Sequence, residues 1–240
     1  MIKSIYLAQR NPSTSFEEFM ENWAAHAVLS GSFPDVLRCF DGVVQVKRIV
    51  GLDHPALSTE YDGANILTLT SLQDAIDVHD QEGISTLRTD EKRVFADYVI
   101  DTSLTVHADV VRDEPVGQVV LLDFARRRAG QDRVDFVKAW GRFARRLMAD
   151  EAFPAGGRVC HNHVVMPPPP GYEYDAVAET WFDSVDSAVA MLEATSGLYD
   201  DAEFEFGTRV VLDRNHVWIR RGEQARKPAT DVGRTNREGA

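Results

Sequence analysis

The chain has little cysteine, a shortage of positive charge and no long apolar run. Cys39 and Cys160 are its two cysteines, and without a CxxC motif or zinc-type spacing we expect both to be free thiols. Lys and Arg number 26 against 38 Asp and Glu, a formal net charge of −12, which argues against a nucleic-acid partner. No segment approaches the roughly 20 apolar residues of a transmembrane helix, so no membrane partner is predicted.

Several sequence signatures are also missing. The first ten residues, MIKSIYLAQR, are too polar for a signal peptide, so we expect a first strand there and a cytoplasmic protein. There is no GxSxG elbow, P-loop, GxGxxG turn or HExxH motif. The sequence therefore gives no sign of a nucleotide cofactor or a zinc-peptidase site, and we expect no cofactor. With 44% hydrophobic residues among its 240, the chain has enough apolar material for a globular core.

The most informative feature that is present is an internal repeat. Phe19 and Trp23 recur as Phe136 and Trp140, 117 positions later. Other matches keep the same order at spacings of 113 or 109 residues: Tyr61 and Tyr174, Ser71 and Ser184, Phe95 and Phe204, His107 and His216. A preserved order with drifting spacing indicates duplication with loop insertions. We predict two homologous repeats over residues 1–112 and 116–221, followed by a disordered polar tail over 222–240.

Each repeat has the pattern of a ferredoxin-like β-α-β-β-α-β unit. Strands are expected near residues 2–7, 42–50, 63–70 and 102–111 and again near 119–124, 158–166, 175–182 and 210–220. Helices are expected from residue 16, over 74–80, over 134–147 and over 187–195. A ferredoxin-like sheet leaves one face open, and two such faces bury each other. We therefore predict the α+β class, with both repeats forming an intramolecular dimeric α+β barrel.

Three histidines are candidates for acid–base chemistry. His26 lies three residues after Trp23, on the same face of the first helix, where a neutral imidazole suits a general base. The alternative is a histidine that only caps the helix end. His161 and His163 alternate on a strand, so both face one way and Asn162 faces the other.

The His161 and His163 pair has several interpretations. The two could act as acid and base, ligate a metal or haem, or simply pack and hydrogen-bond. Two histidines need further ligands to hold a metal, and the available carboxylates are Asp175 and Glu179, four residues apart on the next strand. We expect those carboxylates to form salt bridges with Arg158 or Lys47, so no metal site is predicted.

These motifs resemble the EthD-domain family. The segment 19–27, with its Phe, Trp and His, is similar to that family's first helix. Segments 161–165 and 174–182 are similar to its second and third strands. The resemblance covers both repeats and implies a dimeric α+β barrel fold. It is split between the halves, because Phe143 replaces His26 in the second and Val46–Lys47–Arg48 replaces the histidine pair in the first.

Relatives of this type include dehydratases, cyclases, isomerases, cofactor-free oxygenases and haem-binding enzymes, so the resemblance implies several chemistries. We predict a cofactor-independent lyase or isomerase that acts on a small hydrophobic ring compound bearing a carbonyl or hydroxyl. The predicted catalytic residues are His26, His161 and His163, and the predicted substrate contacts are Tyr6, Trp23, Trp140, Asn162 and Trp181. The alternatives are a non-catalytic binding protein for a hydrophobic metabolite and a haem-binding or oxygenase-type enzyme. The chain is expected to be a monomer or a homodimer.

Overall fold

The computed structural model of the chain describes residues 1–151, 153 and 156–219, so the predicted tail lies outside the described residues. The strands of the first half are β1 (Ile2–Ala8), β2 (Phe40–Arg48), β3 (Gly63–Leu69) and β4 (Ser103–Arg112). Its helices are α1 (Phe16–Ser30), α2 (Pro34–Leu37), α3 (Leu72–Asp77), α4 (Glu82–Val94) and α5 (Val99–Thr102).

The second half repeats this order of elements. Its strands are β5 (Val119–Arg126), β6 (Val159–Val164), β7 (Ala176–Phe182) and β8 (Glu205–Ile219). Its helices are α6 (Arg133–Ala149), α7 (Val185–Ala194) and α8 (Ser196–Asp200). The predicted order of strands and main helices is therefore found in both halves, although the strand ends differ from the expected ones by a few residues.

The eight strands form one closed antiparallel barrel. Their order around it is β1-β3-β2-β8-β5-β7-β6-β4. Within this circle the first half has the order β4-β1-β3-β2 and the second has β8-β5-β7-β6, which is the same arrangement. Pairing of β2 with β8 and of β4 with β6 joins the halves. The α+β class is therefore confirmed, with an eight-stranded antiparallel barrel as its centre.

Strand alternation divides the core into a barrel interior and two outer layers under the helices. Side chains such as Ile5, Leu122 and Val177 fill the interior. The outer layers are aromatic clusters between the sheet and α1 in the first half and α6 in the second. No helix in the described part of the chain has the length and apolarity needed to cross a membrane.

The first helix begins as its sequence predicts. The Ser15 hydroxyl accepts a hydrogen bond from the Glu18 amide, and the Glu18 carboxylate accepts one from the Ser15 amide. This capping box satisfies two amides that the helix leaves free. The buried face of α1 then carries Phe19, Trp23 and His26 against the sheet.

The second helix of the first half differs from the prediction. A single helix was expected over residues 74–80, but α3 ends at Asp77, a 3-10 turn follows, and the longer α4 runs from Glu82 to Val94. The sequence of α4 is strongly polar, and only Gly83, Leu87, Glu91 and Val94 are buried. Its narrow apolar stripe explains why sequence periodicity missed it.

The predicted partners of the two carboxylates were wrong. Glu179 points into the barrel, where its carboxylate lies 2.6 Å from Lys3 Nζ and accepts a hydrogen bond from Trp181 Nε1 at 2.8 Å. Burial acts to raise the pKa of Glu179, but Lys3 and Trp181 together hold it below its usual value. Asp175 precedes β7 and pairs with Arg127. These pairings join residues distant in sequence, which strand patterns cannot specify.

Candidate active site

A cavity of about 410 Å³ lies between α6 and the outer face of β4 and β6. We call it the histidine cavity, because His161 and His163 of β6 line it together. Alternation along the strand puts both imidazoles on this face, as predicted. The remaining lining residues come from β4 and α6: Asp109, Val111, Trp140, Gly141, Ala144, Arg145, Met148 and Ala149.

The helix that covers this cavity is held by its aromatic face. Phe136, Trp140 and Phe143 are buried, and their rings stack at centroid distances of 6.2 and 6.1 Å. The Asp132 side chain caps the start of α6 by accepting from the Asp135 amide. These contacts fix the Trp140 ring against β6.

His161 is the deepest polar side chain of the cavity, with 3% of its surface exposed. Neither of its ring nitrogens has a hydrogen-bond partner among the described residues. Burial, reinforced by the nearby His163, lowers the pKa of His161 to about 4. The imidazole is therefore neutral at pH 7, with one nitrogen able to accept a proton.

His163 lies nearer the surface and is half-buried. Burial lowers its pKa, Asp109 acts in the opposite direction, and His107 and Arg133 lower it further. In the register of β4 and β6, His163 lies beside His107 and His161 lies beside Asp109. The pair thus spans the depth of the cavity, from a buried position at His161 to a half-buried one at His163.

The Trp140 indole is a second polar group without a partner. Trp140 is fully buried, its Nε1 has no hydrogen-bond partner among the described residues, and its ring lies 5.2 Å from that of His161. Leaving a buried donor unpaired costs about 1–3 kcal/mol, so proteins rarely do it. Two side chains with unpartnered buried polar atoms therefore line the same cavity.

The first half satisfies the corresponding groups internally. The Trp23 indole donates to the Tyr6 hydroxyl, which also accepts from Asn65 Nδ2 at 2.5 Å. The position of His161 is taken by Gln45, whose Oε1 accepts from Asn215 Nδ2 at 2.8 Å. In the first half, the Trp23 indole and the Gln45 side chain therefore both have hydrogen-bond partners within the protein.

This correspondence corrects the predicted alignment of the halves by one residue. Gln45 pairs with Asn65, and His161 pairs with Ala178, 113 positions after Asn65. The counterparts of residues 161–163 are therefore 45–47 rather than 46–48. The prediction was wrong because the two halves differ in loop length before β2 and β6.

His26 occupies a different setting from the histidine pair. Its Nδ1 lies 2.9 Å from an Asp90 carboxylate oxygen, and Asp90 also pairs with Arg93. Burial lowers the pKa of His26, while Asp90 acts to raise it. His26 does not line the histidine cavity. It is paired within the first half and is not brought together with His161.

The predicted substrate contacts are scattered over four places. Trp140 lines the histidine cavity, whereas Trp23 lies in the outer layer of the first half. Asn162 and Trp181 face the barrel interior, where Asn162 Nδ2 donates to the Val177 carbonyl at 3.0 Å. Tyr6 borders another cavity, of about 300 Å³, at one end of the barrel.

Sequence reasoning missed seven of the ten residues that line the cavity, among them Asp109, Arg145 and Met148. Asp109 lies on a predicted strand two positions after His107, so alternation alone places it on the face of His107. Arg145 and Met148 lie on α6 five and eight residues after Trp140. Helical spacing could have placed Met148 on the face of Trp140, but which strand meets that face depends on the barrel.

The donor set does not form a metal centre. The described residues contain no group of three or more His, Cys, Asp or Glu side chains that could hold an ion. Glu179, one of the two carboxylates considered with the histidines, faces the barrel interior instead. A metal-ligating histidine usually donates its second nitrogen to a carboxylate or carbonyl, and His161 has no such partner among the described residues. The site therefore lacks the orienting contact that an axial haem ligand normally has.

The fold is shared with solved structures, although no protein-family model and no curated protein match the chain. It is similar to an anthrone oxidase-like protein (TM-score 0.58, 11% identity, 95% of this chain and 96% of that chain covered). It is also similar to a candidate monooxygenase from Fusobacterium nucleatum (TM-score 0.56, 9% identity, 95% of this chain and 97% of that chain covered). A third similar structure is a chlorite dismutase variant from Candidatus Nitrospira defluvii (TM-score 0.54, 10% identity, 90% of this chain and 91% of that chain covered). At these identities the likeness establishes the dimeric α+β barrel fold alone.

Proposed function

We propose that this chain is an enzyme that binds a small, largely apolar ring compound in the histidine cavity and removes a proton from it. The observation that carries the proposal is the buried, neutral His161 with both ring nitrogens unpartnered. A neutral imidazole whose nitrogens have no other partner can accept a proton from a bound molecule. The substrate would carry a carbonyl or hydroxyl, which makes a neighbouring proton acidic.

The two histidines have different parts in this scheme. His161 touches the deep end of the cavity and takes the proton. His163, half-buried and near Asp109, returns a proton to the product or exchanges it with solvent. Positioned acid–base groups of this kind contribute about 10²–10⁴-fold in rate.

The fate of the substrate carbanion separates two reaction classes. In an oxygenase-type reaction it transfers electrons to O₂, forms a C–O bond, and the resulting hydroperoxide loses water to leave a carbonyl. In a lyase or isomerase the carbanion expels a leaving group or is reprotonated at another carbon. The names of the anthrone oxidase-like and monooxygenase neighbours support the oxygenase-type reaction, so we favour it over the lyase or isomerase that the sequence suggested. The EthD resemblance accommodates both.

The proposal is tested by proton exchange in D₂O with 1-tetralone and anthrone as probes. We expect the wild-type chain to speed C–H to C–D exchange and His161→Gln to slow it by about 10²–10⁴-fold. His26→Gln is the matched control and keeps the wild-type rate. Oxygen consumption with anthrone then distinguishes oxygenase-type chemistry from isomerisation. A double His161→Gln, His163→Gln variant that exchanges as fast as the wild type contradicts the proposal, and tight binding without exchange supports a binding protein instead.

Haem binding is the second candidate, and the free nitrogens of His161 are the observation that favours it. The missing orienting partner of His161 weighs against haem binding. Titration with haemin, followed by absorption spectroscopy, decides the point. A Soret band of bound haem that disappears in His161→Gln supports haem binding. A spectrum equal to that of free haemin excludes haem binding as a candidate.

A further inference from the structure

We infer that the Trp140 indole N–H donates a hydrogen bond to an oxygen of the bound molecule and so selects oxygen-bearing ring compounds. The inference rests on the proposed function, because it concerns the same cavity. Trp140 recognises the substrate in this scheme, whereas His161 is the base. Trp140 acts in it as a binding residue, not as a proton carrier.

The position of Trp140 supports a binding role. Its ring lines the cavity, is held between Phe136 and Phe143 by stacking, and lies 5.2 Å from the His161 ring. Its Nε1 is buried and unpartnered among the described residues, as are both nitrogens of His161. Three unsatisfied polar atoms are thus contributed by two adjoining side chains of one cavity.

The second half has lost the acceptor that the first half provides. Trp23, the counterpart of Trp140, donates to the Tyr6 hydroxyl. The counterpart of Tyr6 is Asp123, whose carboxylate instead accepts from Tyr199 and Arg209 at 3.0 and 2.5 Å. The aromatic framework is therefore kept while the internal partner is committed elsewhere, which leaves the indole N–H for a ligand.

These groups define the chemistry of the ligand. An indole N–H can only donate, and a neutral imidazole can donate at one nitrogen and accept at the other. A phenolic hydroxyl fits both side chains, since its oxygen accepts a hydrogen bond from Trp140 while its O–H donates one to His161. A carbonyl oxygen fits by accepting from both. A cationic amine does not fit, because it offers Trp140 no acceptor.

The test compares 1-naphthol with naphthalene, which has the same rings but no oxygen. Equilibrium dialysis gives the ratio of their two dissociation constants for the wild type, Trp140→Phe and Trp23→Phe. We expect the wild type to prefer 1-naphthol, and Trp140→Phe to reduce that preference by about two- to tenfold, the value of one hydrogen bond. Trp23→Phe keeps the wild-type ratio.

The ratio separates recognition from packing. If Trp140 were only structural, its replacement would weaken the binding of 1-naphthol and naphthalene equally and leave the ratio of their dissociation constants unchanged. That result overturns the inference. A wild-type chain that binds naphthalene as tightly as 1-naphthol, or binds neither, also overturns it. If the ratio changes as expected but no variant alters proton exchange, the oxygen-binding site stands and the proposed catalysis fails.

Discussion

The two halves share one aromatic framework and differ in their polar groups. In the first, the ring of Phe95 lies 6.0 Å from that of Trp23. In the second, the ring of Phe204 lies 5.2 Å from that of Trp140. The framework sets how each main helix packs on its sheet, so it is retained in both.

What differs is whether the polar atoms beside that framework have partners. Trp23, Gln45 and His26 all do, whereas Trp140 and His161 have none among the described residues. Unpaired buried polar atoms lower stability, and those of Trp140 and His161 lie beside one cavity, which points to function there. The comparison therefore favours the second half as the location of the candidate site.

The largest expected effect concerns the barrel interior, where the halves also differ. Lys3 and Glu179 form a buried ion pair, and their counterparts, Val120 and Ile66, are apolar. Lys3→Met leaves a buried carboxylate without its cation and should lower the free energy of unfolding by about 3–5 kcal/mol. Urea denaturation measures this loss.

The double variant sharpens that test. Lys3→Met with Glu179→Gln removes both charges while keeping an acceptor for Trp181, so most of the lost stability should return. If the double variant is as unstable as the single one, the ion pair is not the cause of the loss.

A smaller effect is expected in the pH dependence of stability. The pKa of His161 falls from 6.5 in the unfolded chain to about 4 in the folded one. Between these values the unfolded chain binds a proton that the folded chain does not. Stability from His161 is therefore complete above pH 6.5 and decreases by about 3 kcal/mol as the pH falls to 4.

Paired variants show whether this dependence belongs to the second half. His161→Gln should flatten the decrease in unfolding free energy between pH 6.5 and 4, measured by urea denaturation at each pH. His26→Gln should flatten it less, because Asp90 opposes the effect of burial on His26. Equal flattening by both variants would contradict the contrast between the histidines.

The smallest expected effect compares the two tryptophans. Trp23→Phe removes packing and one satisfied hydrogen bond, whereas Trp140→Phe removes similar packing and a donor that has no partner in the described chain. In the ligand-free protein Trp23→Phe should therefore be more destabilising, by about 1 kcal/mol. Thermal or urea unfolding measures the difference, and an equal or larger loss in Trp140→Phe argues that its indole is satisfied within the protein.

Much of this molecule follows from local sequence patterns. Period-two and helical spacing predict the strands, the helix faces of α1 and α6, and the shared face of His161 and His163. The polar helix α4 escaped prediction, because its few apolar residues give a weak signal. Alternation correctly places Asn162 on the face of β6 opposite to His161 and His163. That this face lies inside a closed barrel became known only from the pairing of all eight strands.

The sequence by itself determined the order of the strands and main helices, since hydrophobic periodicity is a property of neighbouring residues. Only the tertiary structure decided which polar groups have partners. Lys3 reaches Glu179 across 176 positions, Asp90 pairs with His26 across 64, and Trp140 and His161 are left facing a cavity. Hydrogen bonds and ion pairs form between atoms a few ångströms apart, whatever their separation along the chain, so strand register and helix docking had to be known first.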